Sequence, residues 1–147
     1  MVIPDVNLLV YAYNTDAPYH LLAKEWWSGL MNGNEDVGIP WVVPIGFLRL
    51  MTNGKVLERP LTATDALAHI RTWLERPQAH VITPGPRHLE ILDGFAKRQL
   101  LSSSLTTDAH LAALAIELRA ELHSNDSDFS RFPGLRCHDP LKRSENR

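Results

Sequence analysis

The sequence predicts a single α/β domain built on an open, largely parallel sheet. Short β-rich runs alternate along the chain with longer stretches of helical periodicity, the pattern of strands joined by helical crossovers that run right-handed. The chain has 147 residues, 44% of them hydrophobic and 22% charged. That is enough to bury one core without disulfides or metals as staples. There is no internal repeat and no separable linker, so residues 1–141 are expected to form the domain and 142–147 a disordered tail.

Val2 and Ile3 continue Met1 as a short buried strand, and Pro4 is tolerated at the strand end, where no ladder donor is needed. Asp5 follows at once and is placed to cap a helix over Val6 to Tyr13, which the run Asn14-Thr15-Asp16-Ala17-Pro18 breaks. From His20 to Met31, Leu21, Leu22, Trp26, Trp27 and Leu30 make a helical face that Asn32-Gly33-Asn34 ends. Val37-Gly38-Ile39 reads as the second strand. Val42 to Met51 reads as the third helix, with Pro44 in its first turn.

Thr62-Ala63-Thr64-Asp65 has capping-box spacing, with aspartate in the usual place of glutamate, and opens a helix through Ala66, Ile70, Trp73 and Leu74. The helical spacing of Trp26, Trp27 and Trp73 explains them as core or interface packing rather than as base-stacking platforms. His80 to Thr83 reads as the third strand, and Pro84-Gly85-Pro86 leads into a helix from Arg87 to Arg98. Leu105 to Glu121 is the longest helix candidate, rich in alanine and leucine on several faces, as expected of a helix covered on more than one side. Glu121 to Ser124 is the fourth strand, a polar turn holds Asp126 and Asp128, and Leu135-Arg136-Cys137 forms a final edge strand.

Composition excludes several classes of function. The single cysteine, Cys137, rules out an internal disulfide and a cysteine-based zinc site, in keeping with a reducing, cytoplasmic setting. The amino terminus lacks a basic region before its apolar residues, and no apolar run reaches the roughly 20 residues that cross a bilayer. No histidine pair shows the helical spacing with an intervening glutamate of a zinc hydrolase. A net charge of −2 gives no overall pull toward polyanions. Nucleic-acid binding would therefore need a local basic surface or metal ions that offset the acids.

Three aspartates stand where an α/β sheet gathers its functional groups, beyond the carboxyl ends of strands or at a helix amino terminus. Asp5 follows the first strand, Asp126 follows the fourth, and Asp108 lies near the start of the long helix. Each also has an ordinary structural reading: Asp5 as a helix cap, Asp108 as a first-turn acid, Asp126 as a turn residue. If the fold brings them together, they repel unless a cation lies between them, and all-oxygen ligation selects Mg²⁺, with Mn²⁺ as a substitute. Such a site suits phosphodiester hydrolysis. Asn7 and Ser124 are then placed to orient carboxylates or water. Asp128 either contributes through a water or caps its turn. Arg49 is a candidate contact to RNA phosphate, with an exposed helix arginine or a structural ion pair as the alternative.

Pro4-Asp5-Val6-Asn7-Leu8-Leu9, Thr107-Asp108-Ala109-His110-Leu111-Ala112-Ala113 and Ser124-Asn125-Asp126-Ser127-Asp128-Phe129 resemble the PIN-domain ribonucleases, specifically the VapC-type toxins of bacterial toxin–antitoxin pairs. The resemblance covers nearly the whole chain, and it rests on the order of these motifs, on their placement on the α/β pattern and on the separation of 18 positions from Asp108 to Asp126. It implies a three-layer α/β/α domain with a central, mostly parallel sheet of four to five short strands. It also implies a Mg²⁺-dependent endoribonuclease carrying Asp5, Asp108 and Asp126 as catalytic and metal-binding acids. The substrate would be structured RNA such as tRNA or rRNA. A VapB-type antitoxin and a second copy of the chain would be its partners.

One departure from the family pattern is plain. Where these toxins usually carry a glutamate on the third helix, Trp41 to Asn53 contains no acid, and Gly46 stands three residues before Arg49. The run Gly46-Phe47-Leu48-Arg49 with Thr52 looks like a branch of the toxins that shares the substitution. One metal held mainly by Asp5 and Asp108, with Asp126 bound directly or through water, is the expected arrangement. Two rivals follow. A haloacid-dehalogenase phosphatase also begins with a strand-end aspartate, but it wants a second aspartate where Asn7 stands. A PIN-like module that binds RNA or an antitoxin without cutting would account for the absent glutamate.

Overall fold

The computed structural model of the chain describes residues 1–142. Five strands form one parallel sheet: β1 (Val2–Pro4), β2 (Val37–Pro40), β3 (Ala79–Ile82), β4 (Glu121–His123) and β5 (Arg136–His138). Their order across the sheet is β3-β2-β1-β4-β5. The chain builds outward from β1 in one direction, then returns to the other side of β1 with β4. The reversal of order falls between β1 and β4, the place where open α/β sheets bind ligands. Pairing in register, Val2 with Glu121 and Pro4 with His123, continues one step past the strands, where the Asp5 N–H donates to the His123 carbonyl at 2.9 Å.

Six helices complete an α/β/α sandwich: α1 (Val6–Tyr13), α2 (His20–Met31), α3 (Val42–Met51), α4 (Ala63–Leu74), α5 (His88–Lys97) and α6 (Thr106–Leu118). Helix α1 packs on both α2 and α3, α3 packs on α4, and α5 packs on α6. β1 and β2 are buried at every position, as parallel strands covered on both faces must be, whereas β5 is exposed throughout at the sheet edge. An aromatic knot joins α1 to α4. The Trp73 ring meets Trp27 and Phe47 edge-on at centroid distances of 5.5 and 4.7 Å, and its indole N–H donates to the Tyr13 hydroxyl at 2.7 Å.

The first four helices start and stop where the sequence places them. The Thr62 hydroxyl accepts from the Asp65 N–H at 3.1 Å, which is half of the capping box. β3 and β5 are displaced by one residue from expectation, an ordinary uncertainty for strands of three or four residues. The longest helix is shorter than its periodicity predicts. It ends at Leu118 because Arg119 adopts the left-handed conformation (φ 53°), and the Ala120 N–H closes back on the Ala115 carbonyl. Helices usually stop this way on glycine, and no glycine marks the turn here. The polar turn after β4 is in fact a 3₁₀ helix, Ser127–Arg131. The expected tail falls almost wholly on residues 143–147, outside the described part of the chain.

Candidate active site

The short buried strands β1 and β4 end side by side and deliver Asp5 and Ser124 to the same point. Asp5 sits at the N-cap position of α1 yet makes no side-chain capping bond. Its Oδ2 instead accepts from the Ser124 hydroxyl at 2.8 Å, and both residues are buried. The same Ser124 oxygen accepts from the Asp126 N–H at 3.0 Å. One hydroxyl thus pins the first acid and sets the path of the loop that carries the next. That loop tightens further, because Asp126 Oδ1 accepts from the Asp128 N–H at 2.9 Å and so caps the 3₁₀ helix.

Carboxylate oxygens of Asp108, Asp126 and Asp128 all lie within 4.8 Å of one another. The sequence ranks Asp5 and Asp108 first and leaves Asp128 open, whereas the close trio in the structure includes Asp128 and not Asp5. The reason is local: Asp5 is 5% exposed and turned onto Ser124, while the 3₁₀ turn swings Asp128 back toward the start of α6. Asp128 also pairs with Arg131 at 3.2 Å, a partner three residues on that the i, i+3 spacing of opposite charges could have revealed. Asn7 is exposed and hydrogen-bonds to none of the acids among the described residues. Arg49 is exposed in the last turn of α3 and forms no ion pair among them.

Gly46, in the place of the family's glutamate, is buried, and a Cβ built on it would lie 3.1 Å from Val6 Cγ2. Val6 follows Asp5 directly. The backbone of α3 therefore approaches α1 closely beside the site and brings no charge with it.

The electrostatics are those of acids crowded without a counter-ion. Burial, followed by the charges of Asp5, Asp126 and Asp128, pushes the Asp108 carboxyl up to about 6. Burial also raises Asp5, opposed by the Ser124 hydroxyl and the Val6 N–H. Hard oxygen donors in mutual repulsion fit a divalent cation, since the ion removes the repulsion that raises Asp108. Nearby, His123 accepts from the Trp26 indole N–H at Nδ1 (2.9 Å), which leaves its Nε2–H to donate to Glu121 (2.8 Å). Burial lowers His123, opposed by the hydrogen bond and charge of Glu121.

Two predictions follow from this geometry. Ser124→Ala leaves the buried Asp5 carboxylate without its donor and frees the loop bearing Asp126. Metal affinity or activity should fall by about 10–100-fold with the fold retained, as read by calorimetric Mg²⁺ titration and circular dichroism. Wild-type affinity in this variant would show that the hydroxyl does not organise the acids.

The second concerns pH. The folded Asp108 titrates at about 6 and the unfolded group at 3.8, so between those values the folded state holds a proton that the unfolded chain has released. Its contribution to stability therefore falls as pH rises through that window. Without divalent metal, Asp108→Asn should gain in melting temperature over the wild type as pH rises from about 4 to above 6. Added Mg²⁺ should close the gap from the wild-type side, and a gap independent of pH would refute the assignment.

A parallel α/β sheet with carboxylates converging at its switch point fits a metal-dependent hydrolase. The chain matches the PIN domain family over residues 2–135. It is 46% identical over 142 residues to Ribonuclease VapC33 of Mycobacterium tuberculosis, covering 97% of this chain and 99% of that protein. It is 40% identical over 140 residues to Ribonuclease VapC37 of the same organism, covering 95% and 97%. The chain thus belongs to the PIN-domain family, among its VapC ribonucleases.

Solved structures share the fold. VapBC-1 from nontypeable Haemophilus influenzae matches with a TM-score of 0.68 at 17% identity, covering 97% of this chain and 100% of that one. Mycobacterium tuberculosis VapC20, described as a Sarcin-Ricin loop cleaving toxin, matches at 0.63 and 19%, covering 92% and 99%.

Proposed function

We propose that the chain is a Mg²⁺-dependent endoribonuclease, the toxin of a toxin–antitoxin pair, and that Asp5, Asp108, Asp126 and Asp128 form its active site. The observation that carries this reading is the convergence of Asp108, Asp126 and Asp128 beside the Ser124-pinned Asp5. Asp108, Asp126 and Asp128 would hold the cation, with Asp5 close enough to raise Asp108 and so to share in its field. When bound, Mg²⁺ supplies Lewis acidity to the phosphoryl group and lowers the pKa of water.

The protein's own part is to hold oxygens in place. Ser124 fixes Asp5 and the Asp126 loop, and Arg131 offsets Asp128. Arg49 and Asn7, both exposed, are available to phosphate and solvent. The substrate class is structured RNA, tRNA or rRNA. The partners are a VapB-type antitoxin and a second copy of the chain. The setting is the cytoplasm, a reading that likeness to the VapC ribonucleases supports.

Incubating the purified protein with total RNA, in Mg²⁺ and separately in EDTA, and mapping new ends by sequencing tests activity and substrate together. Discrete metal-dependent ends are expected. The same cleavage in EDTA would overturn the metal assignment, and no cleavage in either would favour the second reading, a module that binds without cutting. The uncharged, closely packed Gly46 beside Asp5 is what keeps that second reading alive. Growth arrest on expression separates the two: relief by Asp5→Asn marks cleavage, and equal arrest marks sequestration.

A further inference from the structure

A cleft of about 510 Å³ opens between the loop after β4 and the carboxyl end of β5. It shares Asp126 with the acidic cluster. We infer that this cleft seats the base of the nucleotide adjoining the scissile phosphate, and that Asn125 and His138 select that base. The inference rests on the reading of the chain as an RNA-cleaving enzyme.

The volume lies in the range of small-ligand sites. A strand whose phosphate sits at Asp126 must place the next nucleotide beside that residue, and the cleft is the concavity there. Its walls carry unspent hydrogen-bonding groups. Asn125, Ser127, His138 and Lys142 line it beside Asp126 and Asp139, and none of the four bonds through its side chain to another described residue. An asparagine amide offers donors and an acceptor together, the complement of a base edge.

His138 is backed edge-on by His123 at a centroid distance of 5.1 Å, and His123 is itself tied to Trp26 and Glu121. The ring is therefore supported from behind while its residue stays exposed, which suits it to stack on an unpaired base. Lys142 adds a cation for a flanking phosphate. With acid at Asp126, a small free anion is a poor fit. A neutral base whose phosphate reaches toward Lys142 suits the wall.

Cys137, the only cysteine, lies in the same wall and is exposed, so its alkylation reports occupancy of the cleft. The experiment measures maleimide labelling of the full chain in Ca²⁺, with and without short single-stranded RNA oligonucleotides. In parallel, it maps cleavage ends in Mg²⁺ for the wild type, Asn125→Ala and His138→Ala. RNA is expected to slow labelling in the wild type and less so in the variants. The wild type should favour one base next to the cut by about tenfold or more, and the variants should lose that preference.

Labelling unaffected by RNA overturns the inference whatever the cleavage assay shows. An unchanged base preference in both variants does the same. Protection of Cys137 without any cleavage would support the cleft while removing the enzymatic reading, so the two failures are distinguishable.

Discussion

Asp108→Asn is expected to lower RNA cleavage by about 10²–10³-fold, the usual cost of deleting one preorganised charged group from a site whose chemistry is electrostatic. The substitution is nearly isosteric and removes a charge that three neighbouring acids already oppose, so the fold should hold. Loss of activity with a preserved or raised melting temperature therefore separates the site from the scaffold. Asp126→Asn should behave alike. The double variant should be little worse than either single one, because groups that hold one cation act as a unit. Single-turnover cleavage of a structured RNA at saturating Mg²⁺ is the measurement, and wild-type rates in Asp108→Asn would remove Asp108 from the mechanism.

Trp73→Ala should destabilise the protein by about 3–5 kcal/mol. Trp73 is 1% exposed and stands where four helices meet. Its removal empties a space that Tyr13, Trp27 and Phe47 fill together, and it strips the Tyr13 hydroxyl of its buried donor. Helix α1, which starts at Asp5, is one wall of that space, so metal affinity should weaken in the surviving folded fraction. Trp73→Phe keeps most of the packing but loses the hydrogen bond and part of the buried ring volume, so it should cost less, about 1–3 kcal/mol. Urea unfolding of the two variants tests the pair, and equal costs would mean that the hydrogen bond, not the ring, is what matters.

Helix positions were legible in the sequence because they rest on long periodic stretches: α1 to α4 follow from repeated apolar faces and from Thr62, Asn32 and Asn14 as punctuation. The end of α6 was not legible, since Arg119 takes a glycine conformation that tertiary closure imposes and its residue type does not announce. Strand order was equally hidden. Three-residue strands carry no pairing code, and only the finished sheet puts β4 beside β1.

Asp5, Asp108 and Asp126 stood out by their positions at strand and helix ends. The place of Asp128 in the acidic trio depended on the 3₁₀ turn, which no periodicity signals in five residues. Ser124 was visible only as a polar neighbour. Its two hydrogen bonds, one donated to Asp5 and one accepted from the Asp126 N–H, are a fact of three-dimensional closure.

That closure has a consequence for the chain's birth. The bond from Ser124 to Asp5 links positions 119 apart. Translation at about 5–20 residues per second needs on the order of ten seconds to cover that distance. Until β4 has left the ribosome and found its slot beside β1, Asp5 has no hydroxyl to hold it, and Asp126 does not yet exist. A chain that stops short of β4 therefore lacks both the hydroxyl that holds Asp5 and the Asp126 carboxylate. An element made early and one made late in synthesis must meet before the acids can gather.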